Sequence, residues 1–316
     1  RRAAAPRPGS IAGIAGLASG SGRLGSFLVV GDWGWDPAAH GNVKSARCQK
    51  AIAKRMLETM RSLGDVKFII NVGDSFYPNG VRSKSDPQWN SKWRWVFHEE
   101  LRSVPWYSVY GNHDYHADWC ACAKEPIQCA QVNEDVRNLD FFYMPSYNWH
   151  REHPDLDLEV VGLDLNQFMW AWNKTETLDR QCPMDCFYTK CHAECEGNLR
   201  YRAQEGIRLL KERAEKSSAR NMVVFSHYPT DYLWKLPEVL SLLGNASLRH
   251  VLYLGGHRHN VDQSSTLSTA PNANWLVGGG GGWSCDAPKG ERPQQGFLVG
   301  EIGAHGPVAT RPVLVD

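Results

Sequence analysis

Five short blocks set metal-binding side-chain types just after apolar runs. They are Gly31-Asp32-Trp33-Gly34, Gly73-Asp74-Ser75-Phe76-Tyr77, Gly111-Asn112-His113-Asp114, Ser226-His227-Tyr228-Pro229 and Gly256-His257-Arg258-His259-Asn260. Carboxylate, phenol, amide oxygen and imidazole together make a mixed oxygen and nitrogen donor set for transition metals. Four blocks follow β-branched or aromatic runs: Phe27 to Val30, Phe68 to Val72, Met222 to Phe225 and Val251 to Leu254. The Asn112 block follows a weaker run from Trp106 to Tyr110. Side chains at the carboxyl ends of buried strands converge on one crevice. Singly, each block reads as a turn, since Gly permits positive φ and Asp caps the next helix. In succession along one chain they read as a two-metal site. Gly255-Gly256 lets the chain leave regular strand before His257 and His259.

Position 34 and position 77 bear on which metals. Dinuclear phosphoesterases with two ordinary divalent ions commonly begin Asp-x-His, and here the third position is Gly34. Tyr77, three residues after Asp74, offers a phenolate instead. That hard anionic donor suits Fe(III), whose charge allows a phenol of pKa ~10 to bind deprotonated.

With these residues the chain resembles the purple acid phosphatases, particularly the short, tartrate-resistant type. Their pattern of GDxG, GDxxY, GNH, a strand-end His and GHxH stands here in order, and the resemblance runs from about Phe27 to the C-terminus. It implies that Asp32, Tyr77 and His259 hold a ferric ion. Asn112, His227 and His257 would hold a divalent ion (Fe, Zn or Mn), and Asp74 would bridge the two. Asn112 and His113 would contact substrate, with His113 in the outer sphere as proton donor to the leaving group. The implied reaction is acid hydrolysis of small phosphate monoesters by hydroxide held on the metal pair. Two alternatives stand beside it: a phosphodiesterase or nucleotidase on the same dinuclear core, and a non-catalytic scaffold that keeps the fold. One departure is visible. Short-type relatives carry a second outer-sphere His beyond the strand-end His, whereas His227 to Glu238 contains none. His116 or Asp231 could assist His113, and Arg258 is read as facing solvent.

The elements that must position these residues alternate. Strands are expected at 26–31, 66–72, 106–110, 157–164, 221–226, 249–254, 275–277, 296–302 and 307–315. Helices are expected near 43–63, with Ala51, Ile52, Met56, Met60 and Leu63 on one face, in the Trp-rich stretch 86–100, and from 199 to 216. A short helix is expected between 226 and 249. Early βαβ units followed by strand-rich sequence suggest two packed sheets flanked by helices. The resemblance implies the same four-layer α/β/β/α sandwich of two mixed sheets. Residues 1–24 read as a flexible leader or targeting remnant, and 25–316 as one catalytic domain. The glycine run 278–282 is expected to bring backbone close to a phosphate pocket.

Nine cysteines occur. Cys120, Cys122 and Cys129 form one group and Cys182, Cys186, Cys191 and Cys195 another. Disulfides are preferred to a zinc site, because the second group lacks paired C-x2-C spacing. The odd count leaves one cysteine unpaired within the chain, and Cys48 is assigned that part. Sequons at Asn173 and Asn245 join the cysteines in pointing to a glycoprotein of the secretory route, whether secreted, lysosomal or vacuolar. A net charge of +1 leaves no footprint for nucleic acid. No run approaches the ~18 apolar residues of a membrane span.

Overall fold

The computed structural model describes residues 22–34, 43–115, 117–137, 142–168, 191–244, 249–263, 273–281 and 295–315. His116, both sequons, Cys182, Cys186, Gly282 and the leader up to residue 21 lie outside them.

Strand β1 (Arg23–Val30) explains the layering. Successive side chains of a strand point to opposite faces, and from Phe27 to Val30 both faces are fully buried. Leu28 and Val30 pack with Ile52, Ala53 and Met56 of helix α1 (Val43–Leu63). Phe27 and Val29 pack the other way, into a core shared with Val160, Val223 and Leu252 of a second sheet. Helix α1 ends where Gly64, at φ 71°, donates its N–H to the Met60 carbonyl at 3.0 Å.

The first sheet has the order β11–β10–β1–β2–β3, and the second β4–β5–β6–β7–β9–β8. In the first, β1, β2 (Val66–Asn71) and β3 (Trp106–Ser108) run parallel, while β10 (Gly296–Gly303) and β11 (Ala309–Leu314) add antiparallel strands. In the second, β5 (Leu158–Gly162), β6 (Asn221–Phe225), β7 (His250–Gly255) and β9 (Ala273–Val277) are parallel. Antiparallel β4 (Trp149–His153) and β8 (Val261–Asp262) close its edges. Helix α3 (Cys195–Lys216) buries Leu199, Ala203 and Leu210 in the second sheet's core, and α4 (Pro237–Gly244) adds Val239 and Leu243. The result is the expected α/β/β/α sandwich of two mixed sheets. Val30 pairs with Asn71 and Asn71 with Ser108, so the first sheet's parallel strands end flush. Phe225 beside Leu254 does the same in the second.

Several elements differ from expectation. Strand β3 stops at Ser108 as the chain turns toward Gly111. The Trp-rich stretch splits into a π-helical turn, Trp89–Arg94, and a four-residue α2, Glu99–Arg102, because the His98 side chain accepts the Glu100 N–H and restarts the helix. Strand β4 was not expected. It is an edge strand carrying His150, Arg151, Glu152 and His153, the charged composition with which sheets protect an edge.

Cys120 is bonded to Cys129, and Cys122 to Cys191 across 69 residues. Cys195 is also disulfide-bonded, and so is Cys48, which corrects its assignment as the unpaired cysteine. Cys48 is half-buried on α1, where the helix backbone passes the Gly281 loop.

Candidate metal centre

All five blocks lie at carboxyl ends of strands: β1, β2 and β3 of one sheet, β6 and β7 of the other. At three of them the backbone enters the left-handed region, at Asp32 (φ 56°), Asp74 (φ 51°) and His257 (φ 71°). Non-glycine residues adopt it rarely, and such strain gathers at functional sites. Close backbone approach is equally built in. A Cβ at Gly34 would lie 1.7 Å from the Ser75 carbonyl oxygen, so no side chain of any kind fits there. The Gly34 carbonyl instead accepts the Tyr77 N–H at 2.7 Å. A Cβ at Gly111 would lie 2.1 Å from Asp74 Oδ1.

The donor atoms form two groups. Tyr77 Oη lies 3.1 Å from Asp32 Oδ1, 2.9 Å from Asp74 Oδ2 and 3.4 Å from His259 Nε2. In the second group Asn112 Oδ1 is 3.1 Å from His227 Nε2 and 3.0 Å from His257 Nδ1, and the two imidazole nitrogens are 3.2 Å apart. Asp74 Oδ2 is 3.4 Å from His227 Nε2, so this one carboxylate touches both groups. Asp74, His227 and His257 also converge as a compact set of metal-type donors.

Asn112 Oδ1, His227 Nε2 and His257 Nδ1 converge pairwise at about 3 Å, an arrangement in which one cation can be held by all three. His227 Nδ1 faces the Val72 carbonyl at 3.0 Å, a bond that turns Nε2 toward the cluster. Burial and the His227 charge push His257 down to about 3, and burial pushes His259 down to about 4, which keeps both imidazoles neutral. Burial also lowers His227, but Asp74 overrides it and draws it up to about 9. Burial lifts Asp32 and Tyr77 well above their ordinary values, and for Tyr77 the two facing carboxylates add to the effect. Burial lifts Asp74 as well, yet His227 and His113 hold it well below the usual range. A phenol pressed against two buried carboxylates ionises only beside a strongly polarising cation. The donor set therefore fits a pair of metal ions.

His113 lies beside the cluster. Its N–H donates to Asp74 Oδ1 at 2.9 Å, and its Nδ1 meets the Pro78 carbonyl at 2.7 Å. Arg258 departs from expectation: its guanidinium forms a two-bond ion pair with Asp231, at 2.9 and 3.0 Å, instead of facing solvent. The two residues leave adjacent strands β7 and β6, which brings opposite charges together over a gap of 27 residues. Asp231 is thereby engaged, and His116 falls outside the described residues. Gly278 packs against the Arg258 carbonyl and Asp32, where a Cβ would approach within 2.2 and 2.8 Å. The glycines after β9 thus admit close backbone contact beneath the cluster.

Two supporting residues were not singled out from sequence. Asn71 accepts from Trp33 Nε1 and donates to the Ser75 and Ser108 hydroxyls, linking the ends of β1, β2 and β3. Asp114 accepts the N–H groups of Ser75, Phe76 and Gly111, binding the Asp74 and Asn112 loops together. A polar residue inside the apolar run before Asp74 was the available signal for the first.

Residues 25–261 match the family described as calcineurin-like phosphoesterase. Tartrate-resistant acid phosphatase type 5 of Homo sapiens is 26% identical over 287 residues, covering 87% of this chain and 78% of that protein. Purple acid phosphatase 4 of Arabidopsis thaliana is 36% identical over 264 residues, covering 81% and 68%. Among solved structures, GAP50, described as the anchor in the inner membrane complex of Plasmodium, shares the fold with a TM-score of 0.56. That match covers 92% of this chain and 84% of that one, at 20% identity. Sequence, architecture and strand-end residues agree: the chain belongs to the calcineurin-like phosphoesterases and, within them, to the purple acid phosphatases, hydrolases of phosphoesters.

Proposed function

We propose that the protein is an acid phosphatase that hydrolyses phosphate monoesters with a ferric and a divalent ion. Asp32, Tyr77 and His259 would hold the ferric ion, Asn112, His227 and His257 the divalent ion (Fe, Zn or Mn), and Asp74 both. The observation that carries this reading is the buried Tyr77 phenol between Asp32 and Asp74, opposite a Gly34 that leaves no space for histidine. When bound, the two cations supply Lewis acidity toward phosphate oxygens and an acidified water. The chain's own part is orientation and proton handling. The Pro78 carbonyl fixes His113 through Nδ1, so Nε2 is the nitrogen available to hold a proton for the departing oxygen. Asp74 accepts the His113 N–H and so ties the proton donor to the donor cluster. Small anionic monoesters are the substrates this arrangement suits. Residues from 25 onward would act as one catalytic unit, and the disulfides favour the secretory route.

The test combines metal analysis, a visible spectrum and hydrolysis of an aryl monoester and a diester at acidic pH. Iron with a second metal, a ferric phenolate band and preference for the monoester are expected. Iron-free, colourless and active protein would remove Fe(III) from the account. Diester preference would favour the phosphodiesterase reading, and metal-free inert protein the scaffold reading that likeness to an anchor protein raises.

A further inference from the structure

Asn166 opens a 3-10 turn, Asn166–Phe168, just beyond β5, the neighbour of the strand that delivers His227. It is fully buried, where a side-chain amide is costly unless it is hydrogen-bonded. Its partners come from both sheets. Nδ2 donates to the Tyr110 carbonyl at 3.2 Å, just ahead of Gly111 and Asn112. Oδ1 accepts from the Tyr228 hydroxyl at 3.4 Å, and Tyr228 directly follows His227. Asp164 sets the direction of the amide. Its Oδ1 accepts the Asn166 backbone N–H at 3.0 Å and Nδ2 at 2.9 Å, which turns the Asn166 oxygen toward the hydroxyl. Asp164 is held in turn by Arg202 at 3.4 Å, both groups being buried.

A capped turn explains only part of this. An aspartate that accepts the backbone N–H two residues on is an ordinary way to leave a strand, and it needs no amide at position 166. The bonds to Tyr110 and Tyr228 span 56 and 62 residues and serve neither turn nor sheet ladder. What they reach is one donor group from two sides. The Tyr110 carbonyl heads the short link through Gly111 into Asn112. The Tyr228 ring packs against both imidazoles of that group, with centroids 5.2 Å from His227 and 5.0 Å from His257. A hydrogen bond at the far end of that ring limits how it leans on them. Among the described residues the Asn166 amide bonds to none of Asp32, Tyr77 and His259.

We propose that Asn166 is a positioning residue for the divalent half of the centre. Its amide ties the root of the Asn112 loop, on one sheet, to the Tyr228 ring that backs His227 and His257, on the other. The inference rests on reading Asn112, His227 and His257 as donors to the divalent ion. Partners outside a metal's donor shell orient the donors and raise affinity. Because this donor group draws on both sheets, any slip of one sheet against the other would open it. A bond that spans the sheets beside the group resists that slip.

The test compares metal-loaded wild type with Asn166→Ala by circular dichroism, the visible band, and retention of each metal against a chelator. Asn166→Ala is expected to fold and to keep its iron and band, while holding the second metal roughly 10-fold less tightly, the low end of the range for losing an outer-shell partner. Selective loss is the signature, because a residue that merely fills the core would not distinguish one ion from the other. If Asn166→Ala does not fold, Tyr228→Phe takes its place, since it keeps the ring and removes only the hydroxyl; loss of the same metal is expected. Unchanged retention of the second metal in the folded variant overturns the proposal. A lowered melting temperature with both metals lost alike also overturns it, because that marks a general structural role. A wild type that holds no second metal instead overturns the reading of Asn112, His227 and His257 beneath it, before any variant is compared.

Discussion

Tyr77 and His113 are neighbours with different work, their rings 4.6 Å apart. The Tyr77 hydroxyl touches two carboxylates and one imidazole, all donor types, so removing it should alter the centre itself. Tyr77→Phe is expected to abolish the visible band and to lower iron content, measured by absorption and metal analysis. A variant that keeps the wild-type colour would exclude Tyr77 as the chromophore. His113 makes its contacts to Asp74 and Pro78 through its backbone N–H and Nδ1, neither of which a metal needs. His113→Ala should therefore keep both metals while turnover falls by ~10²–10⁴, the range for a positioned general acid. The loss should be greater for alkyl phosphates, whose leaving groups need a proton, than for aryl phosphates. An equal loss across a leaving-group series, at unchanged metal content, would sink the proton-donor role.

At the scale of elements, the loops after β1 and β2 fit into each other so closely that the donor set cannot be exchanged for the divalent pattern. A side chain at Gly34 would strike the Ser75 carbonyl, so histidine there cannot replace the phenol. Gly34→His in a Tyr77→Phe background is expected to restore no metal and to cost a further ~1–3 kcal/mol or more, as overpacking does, read by urea denaturation with metal analysis. Recovered metal binding would show that the loop yields. The strand ends were legible because β-branched or aromatic runs break off just before the donors, at glycine before Asp32, Asp74, Asn112 and His257 and at Ser226 before His227. Asn71 was legible only as part of a strand, since its linking role depends on β1 and β3 arriving beside it. The Arg258–Asp231 pair was hidden for a similar reason: its partners meet only once β6 and β7 lie side by side. The break at His98 depends on a side-chain cap to the Glu100 N–H, which periodicity does not encode. Cys48 was misjudged because helical spacing says which face a cysteine occupies but not what chain comes to meet it.

For the whole molecule, one buried carboxyl favours the folded state at acid pH. Asp118 is buried, and burial lifts its carboxyl to about 6, even against hydrogen bonds from Ala130, Cys120 and Tyr110 and the Arg202 charge. Below about pH 4 the group is protonated in folded and unfolded chains alike, and the folded state's preference for the proton is fully expressed. That stability, up to ~3 kcal/mol, is lost as pH rises through about 6. Asp118→Asn is expected to flatten the pH dependence of the denaturation midpoint between about pH 4 and about pH 6.5. An unchanged slope would remove Asp118 as its source. The strand ends also set a timetable. Asp32, Asp74, Tyr77 and Asn112 come from one sheet, whereas His227, His257 and His259 come from the other, so no early fragment contains a complete pocket for either ion. Nascent chain emerging in sequence order carries the first four long before the histidines exist. The proposed ions then arrive as late guests, after the two sheets have met. In a refolding experiment tryptophan emission should reach its native value before colour develops, and iron supplied early should gain nothing over iron supplied late.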